Sequence, residues 1–239
     1  MIEWWKYVIV IVVSYFLGNV NFARILSKFK KTDITKQGSG NPGTMNMLRT
    51  FGIGLGVLTL VLDASKGVLS ALLGFLLFGG DYSSATAMTG LYIGGLSVVL
   101  GHNFPVIYKF KGGKGVACII GMFLVASPIW VAGSFVFAFI IYLFIFDYAA
   151  VASFIFITIL TFVEAQKFKG EFWITFLLFC LYFMTVYAHR SNIHRLLLGK
   201  ENKVNFRKAL KKLYTRKEIK AEKKEIKTEL KNDKHEEIG

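Results

Sequence analysis

Long apolar runs separated by short polar, basic junctions dominate this chain. A helix needs about 20 apolar residues to cross a bilayer core. Residues 4–17, continuing through 19–25, form one such run. Residues 53–78, 86–107 and 172–188 form three more. Between 116 and 163 the only charge is Asp147, and Pro128 interrupts the stretch. That stretch holds two spans, or three if the first is short. The pattern predicts an all-α, polytopic membrane bundle of six or seven helices.

The charges choose between six and seven. Lys28, Lys30, Lys31, Lys36 and Arg49 lie between spans one and two, and Lys109, Lys111 and Lys114 follow span three. The basic tail follows the last span. The loop 79–84 holds only Asp81, and the turn at Ser127-Pro128 holds no charge. Seven spans, with a short fourth helix near Val116–Ala126, put every basic junction on the cytoplasmic side. The N-terminus is then outside and the C-terminus cytoplasmic. Lys167 and Lys169 fall outside, partly balanced by Glu164 and Glu171. The first run is flanked by Glu3 and Lys6 without a small-x-small cleavage pattern, so it reads as a retained helix.

Composition agrees. Of 239 residues, 54% are apolar and 15% aromatic, and mean hydropathy is +0.51. A soluble domain of this size cannot solvate so much apolar surface. Net charge is +14, with 16 Lys/Arg and 8 Asp/Glu in residues 190–239. A basic tail behind a membrane span fits anionic lipid rather than nucleic acid. Residues 1–199 read as one membrane-embedded domain, and residues 200–239 as a basic cytoplasmic tail, helical or disordered, without chemistry of its own. Cys118 and Cys180 lie in apolar segments and read as buried small hydrophobes. There is no metal-ligand spacing, and no cofactor is expected. Gly90, Gly94, Gly95 and Gly101 read as helix-packing positions.

Three junctions carry candidate chemistry. In the first, Gly38, Ser39, Gly40 and Asn41 offer backbone N–H groups and a hydroxyl. Pro42 is placed to start a short helix, and Asn46 and Arg49 follow. Arg49 presents a planar fork suited to phosphate. The second runs from His102 and Asn103 to Lys111, Gly112, Gly113, Lys114 and Gly115. It is not a Walker A loop, because Gly115 stands where Ser or Thr belongs. Lys111 and Lys114, three apart, are spaced to converge on one anion. The third holds His189, Arg190, Asn192 and Arg195 at the end of the last span. If helical, it turns His189, Asn192 and, one turn on, Arg195 or His194 to one face. Asp63 and Lys66, at i and i+3 within a span, read equally as a structural pair or as substrate support. Each junction also has a plainer reading, as a polar loop or a set of headgroup anchors.

Together these residues resemble a known family. Gly38-Ser39-Gly40-Asn41, Asn46 and Arg49 resemble the first motif of the bacterial acyl-phosphate:glycerol-3-phosphate acyltransferases. Gly101-His102-Asn103-Phe104-Pro105 with Lys111-Gly112-Gly113-Lys114-Gly115 resembles the second. His189-Arg190, Asn192-Ile193 and Arg195-Leu196 resemble the third, and Leu62-Asp63-Ala64 with Lys66-Gly67 is also similar. The resemblance covers residues 1 to about 200. Asn19 and Asn21 stand where the family usually has Ser and Pro, so the end of span one is expected to bend differently. Met45 replaces the usual Thr and is given no role.

The resemblance implies a seven-helix membrane bundle in the bacterial plasma membrane, with its active site on the cytoplasmic side. It implies transfer of a fatty acyl group from acyl phosphate to the 1-hydroxyl of glycerol 3-phosphate, giving lysophosphatidate and phosphate. Ser39, His189 and Asn192 are then the catalytic candidates. Gly38, Gly40, Asn41, Asn46, Arg49, His102, Asn103, Lys111, Gly112, Gly113, Lys114, Gly115, Arg190 and Arg195 are the substrate-binding ones, with Asp63 and Lys66 as support. The base is either His189 or a phosphate oxygen of the substrate. Membrane lipid and the soluble enzyme that makes acyl phosphate are the implied partners. No His is followed five positions later by Asp, which disfavours the dyad of thioester-using acyltransferases. The rival reading is a transporter for organic phosphate or another anion.

Overall fold

The computed structural model describes residues 3–141, 145–204 and 215. The chain divides into two units, Met1–Val204 and Asn205–Gly239. Apart from Thr215, the second unit, with most of the expected basic tail, lies outside the described residues. The described residues form ten α-helices and two single 3-10 turns, without a strand.

Helix α1 (Trp4–Asn19) is apolar on all sides. It gives way to the amphipathic α2 (Phe22–Phe29) at a break where Asn21 caps the new helix, its Oδ1 accepting from the Arg24 N–H at 2.9 Å. The break between the two helices therefore has a local cause in this cap. Next come α3 (Thr44–Phe51), α4 (Ile53–Leu77) and α5 (Ala85–Asn103). Helices α6 (Val116–Ala126) and α7 (Pro128–Ile141) meet at Ser127. They are followed by α8 (Ala149–Lys167), α9 (Phe172–Ala188) and α10 (Arg190–Leu197), the last bent from α9 by 55°. Pro42 does not begin α3, which starts two residues later with Gly43 as its cap.

Among the described residues, four segments are long and apolar enough to cross a membrane: Trp4–Phe29, Ile53–Leu77, Ala85–Tyr108 and Ala149–Lys167. The bent pair α9–α10 makes a fifth. At 1.5 Å per residue, α6 reaches only about 16 Å, short of a hydrocarbon core of about 30 Å.

The most enclosed long helix is α5, packed on α1, α4, α6 and α9. Glycines set these contacts. A Cβ on Gly74 would lie 1.9 Å from the Gly90 carbonyl oxygen, and one on Gly67 2.0 Å from that of Cys118. One on Gly101 would lie 2.0 Å from that of Tyr15. The backbones touch because no side chain separates them. Between them Met88, Leu91, Tyr92, Ile119, Met122, Phe123, Ile157 and Leu160 fill the core. Outward, Ile129, Phe162, Phe172 and Phe179 lie exposed, an apolar perimeter that suits lipid.

Glu164 does not balance outer charges as expected. It is fully buried in α8, where the Tyr92 hydroxyl donates to Oε2 at 2.5 Å and the Ser127 hydroxyl donates to Oε1. Both carboxylate oxygens are thus satisfied inside the bundle, as burial of a charge requires.

Candidate active site

The first glycine-rich junction is organised around Asn46, a buried residue of α3. Its Oδ1 accepts from the Ser39 N–H at 2.9 Å, and its Nδ2 donates to the carbonyls of Ile34 at 3.1 Å and Gln37 at 2.8 Å. The amide is occupied within the loop and shapes it. A Cβ on Gly38, whose φ is +53°, would fall 2.3 Å from that Oδ1, so only glycine fits. The Ser39 hydroxyl is half-buried and makes no hydrogen bond among the described residues. Asn21 Nδ2 donates to the Pro42 carbonyl at 3.1 Å and ties this loop to the end of the first span.

The second junction folds back under the end of α5. The Gly113 N–H donates to the His102 carbonyl at 3.0 Å, and the Gly112 N–H to that of Asn103 at 3.2 Å. A Cβ on Gly112 would sit 2.0 Å from the His102 carbonyl oxygen. Asn103 is buried, yet neither of its amide atoms is hydrogen-bonded. Orphaned buried amides carry a cost of about 1–3 kcal/mol unless something bonds them. Lys111 is exposed, and Arg24 Nη2 donates to its carbonyl at 2.9 Å while stacking on Tyr108. Lys114 turns inward. Of the two lysines, Lys114 is the one with a hydrogen-bonded side chain among the described residues.

Lys114 joins the second junction to the third. Its ammonium donates to Asn192 Oδ1, and Asn192 Nδ2 donates to Glu201 Oε1 at 2.6 Å. Arg195 Nε donates to the other Glu201 oxygen at 2.9 Å. The amide is oriented by necessity, since an ammonium only donates and a carboxylate only accepts. Desolvation lowers the Lys114 pKa to about 8; Glu201 opposes this, while Arg195 and Arg49 reinforce it. Arg49, in the last turn of α3, donates from Nη2 to the Asn202 carbonyl at 3.2 Å.

His189 stands at the joint of α9 and α10, buried against Phe154. Its Nδ1 lies 2.9 Å from the Thr185 carbonyl. A carbonyl can only accept, so Nδ1 carries the proton and Nε2 keeps a lone pair. Arg190 points elsewhere, exposed over Tyr187 with a bond to that residue's carbonyl. Within the second span, Lys66 Nζ pairs with Asp63 at 2.9 Å.

Lys114, Asn192, Arg195 and the residues around Arg49 thus form one linked set, with Lys114 also close enough to act on His189. Sequence reasoning passed over Glu201 and Arg24. Glu201 sits at the start of a segment whose Lys/Glu composition reads as solvated. Its signal was the unmatched pair of donors, Asn192 and Arg195, one helical turn apart.

The profile of a family described as glycerol-3-phosphate acyltransferase matches residues 8–199. A glycerol-3-phosphate acyltransferase of Shouchella clausii is 37% identical over 201 residues, spanning 81% of this chain and 94% of the relative. One from Aquifex aeolicus is 36% identical over 201 residues, covering 83% and 99%. Among solved structures, PlsY (YgiH), an integral membrane glycerol 3-phosphate acyltransferase, is similar in two forms, both at 33% identity. Its glycerol 3-phosphate form gives a TM-score of 0.75 over 85% of this chain and 98% of that one. Its lysophosphatidic acid form gives 0.68 over 82% and 94%.

Proposed function

The chain belongs to the glycerol-3-phosphate acyltransferase family, and from that premise we propose that it transfers a fatty acyl group from acyl phosphate to the 1-hydroxyl of glycerol 3-phosphate. It is a membrane enzyme that acylates glycerol 3-phosphate. In the proposed reaction the hydroxyl oxygen attacks the acyl carbonyl carbon, and the bond from that carbon to the phosphate oxygen breaks. Inorganic phosphate leaves with the electron pair, and lysophosphatidate forms. Acyl phosphate is a mixed anhydride with a good leaving group, so no covalent acyl-enzyme is needed. The enzyme's work is to hold two anions together and to stabilise developing charge.

The observation that carries this reading is the Lys114–Asn192 bond, which joins two distant motifs beside Arg49 and Arg195. Each charge-assisted bond from such cations to phosphate contributes about 1.5–3 kcal/mol. Lys114, Arg49 and the Ser39 hydroxyl, with the amides of Gly38 and Gly115, hold the phosphates, while Gly40, Gly112 and Gly113 shape the loops through their own backbone bonds. Asn41, His102, Asn103, Lys111 and Arg195 border them. His189 Nε2 takes the hydroxyl proton, or a substrate phosphate oxygen does so in its place. The pH–rate profiles of His189→Ala, Asn and Gln decide between them. A loss of roughly 10²–10⁴-fold in all three supports His189, and near-normal turnover removes it as the base.

The apolar segments form seven membrane helices, α6 being a short one, with the N-terminus outside and the site at the cytoplasmic face of a bacterial plasma membrane. Membrane lipid surrounds residues 1–199, and a soluble acyl-phosphate-making enzyme supplies the donor. The test is direct. Purified protein in detergent receives acyl phosphate and radiolabelled glycerol 3-phosphate, with a parallel sample in liposomes. Label in a lipid product supports the reading. Uptake into liposomes without acylation replaces it with a transporter.

A further inference from the structure

Lys66 is almost fully buried in α4 and pulls three elements together. Its Nζ lies 2.9 Å from Asp63 Oδ1, 2.5 Å from the Val20 carbonyl, 3.3 Å from the Gly18 carbonyl and 3.2 Å from His102 Nδ1. The two carbonyl oxygens and the Asp63 carboxylate around it only accept, so Nζ stands here as a hydrogen-bond donor. His102 Nδ1 must therefore be the acceptor. A proton there would face the hydrogens on Nζ, and Asp63, at 3.7 Å, is too far to take it. The ring's proton is forced onto Nε2.

That nitrogen is aimed at the second glycine-rich loop. A Cβ on Gly113 would lie 2.2 Å from it, so the ring edge rests on the glycine backbone. Nε2 makes no hydrogen bond among the described residues. On the next residue, the Asn103 amide is likewise buried and unbonded. Two uncommitted polar groups thus underlie the stretch that holds Lys114.

We propose that Asp63 and Lys66 act as positioning residues that lock His102 as a neutral Nε2–H donor, and that this donor binds a phosphate oxygen in the Gly112–Lys114 loop. The reading rests on the phosphate-handling role of that loop. It assigns the pair in the middle of the span to tautomer control, beyond holding helices together. A neutral donor also suits a loop that already holds Lys114, because it binds the anion without setting a second cation beside the first.

Selective ¹⁵N labelling of the imidazoles in detergent-solubilised full-length protein tests this; the chain has only four histidines. Wild-type His102 is expected to show the neutral Nε2–H tautomer, and inorganic phosphate is expected to shift its signal. An Nδ1–H or doubly protonated ring, or no response to phosphate, overturns the proposal. In Lys66→Met or Asp63→Asn the fixed tautomer is expected to be lost. Whichever of these variants keeps a cooperative thermal transition is the one examined, and the wild-type spectrum decides the question if neither does. Kinetically, His102→Leu is expected to raise KM for glycerol 3-phosphate roughly 10- to 100-fold, the worth of one bond to a charged group. His102→Gln, which keeps an N–H at that reach, is expected to restore most of it. Equal losses in kcat for both variants with KM unchanged would mean packing alone. If the wild-type protein makes no lysophosphatidate yet its His102 spectrum behaves as described, the acyl-transfer reading fails while the tautomer lock stands.

Discussion

The charge on Lys114 depends on its enclosure, so the enzyme should register it as a pH effect. Its pKa is lowered to about 8, so the ammonium is present below that pH and lost as pH rises through it. The kcat/KM for glycerol 3-phosphate should accordingly fall between pH 7 and 9.5. Lys114→Arg should flatten that limb, since a guanidinium stays charged. Glu201→Gln removes the carboxylate that holds the Lys114 value up, so the same limb should move to lower pH. Asn46→Ala should release the Ser39 amide and two carbonyls at once. It should raise KM and lower the melting temperature together, whereas a residue that only touches substrate would leave melting unchanged. The sequence named the residue types at these positions well, because each type has a distinct chemistry. It did not say which way they point. Arg190 and Arg195 are five positions apart, about 140° around a helix, so only one of them reaches Glu201. The Asn46 amide looked like a ligand group until its loop partners were visible.

At the scale of helices, contact between backbones replaces interlocking side chains. Gly67→Ala would place a methyl group against the Cys118 carbonyl, with backbone on both sides and nothing flexible to give way. A loss of about 1–3 kcal/mol is expected from such overpacking, read as a lower unfolding temperature in detergent. Gly133→Ala in α7 is the control, because nothing lies within 4 Å of its added carbon. It should be neutral or slightly stabilising, since alanine favours helix by about 0.5–1 kcal/mol. The long apolar runs were legible because the bilayer fixes a length that local sequence must fill. The packing role of the α5 glycines was legible too, since small residues at helical spacing have few other uses in lipid. The environment of Glu164 was hidden. Its partners, Tyr92 and Ser127, are 72 and 37 positions away, and no local pattern announces them.

For the molecule as a whole, the charge-based orientation can be checked by cysteine accessibility. A cysteine at Asp81 should react with an impermeant reagent from outside intact cells, and one at Lys30 only after permeabilisation. The reverse pattern would invert the bundle. The domain boundary is equally testable. Composition changes at Gly199, but the folded unit runs to Val204, whose N–H donates to the Asp147 carbonyl at 3.3 Å. A chain stopped after Val204 should stay active, and one stopped after Gly199 should not, because it lacks the carboxylate that orients Asn192. The five residues from Lys200 to Val204 therefore have a bearing on biogenesis. Chains are made from the N-terminus, so Arg49, Lys114 and Arg195 are all made before Glu201. A half-made chain would sit in the bilayer with its cations in place but unbraced. Such an enzyme would switch on only once Glu201 has been made and has reached Asn192 and Arg195.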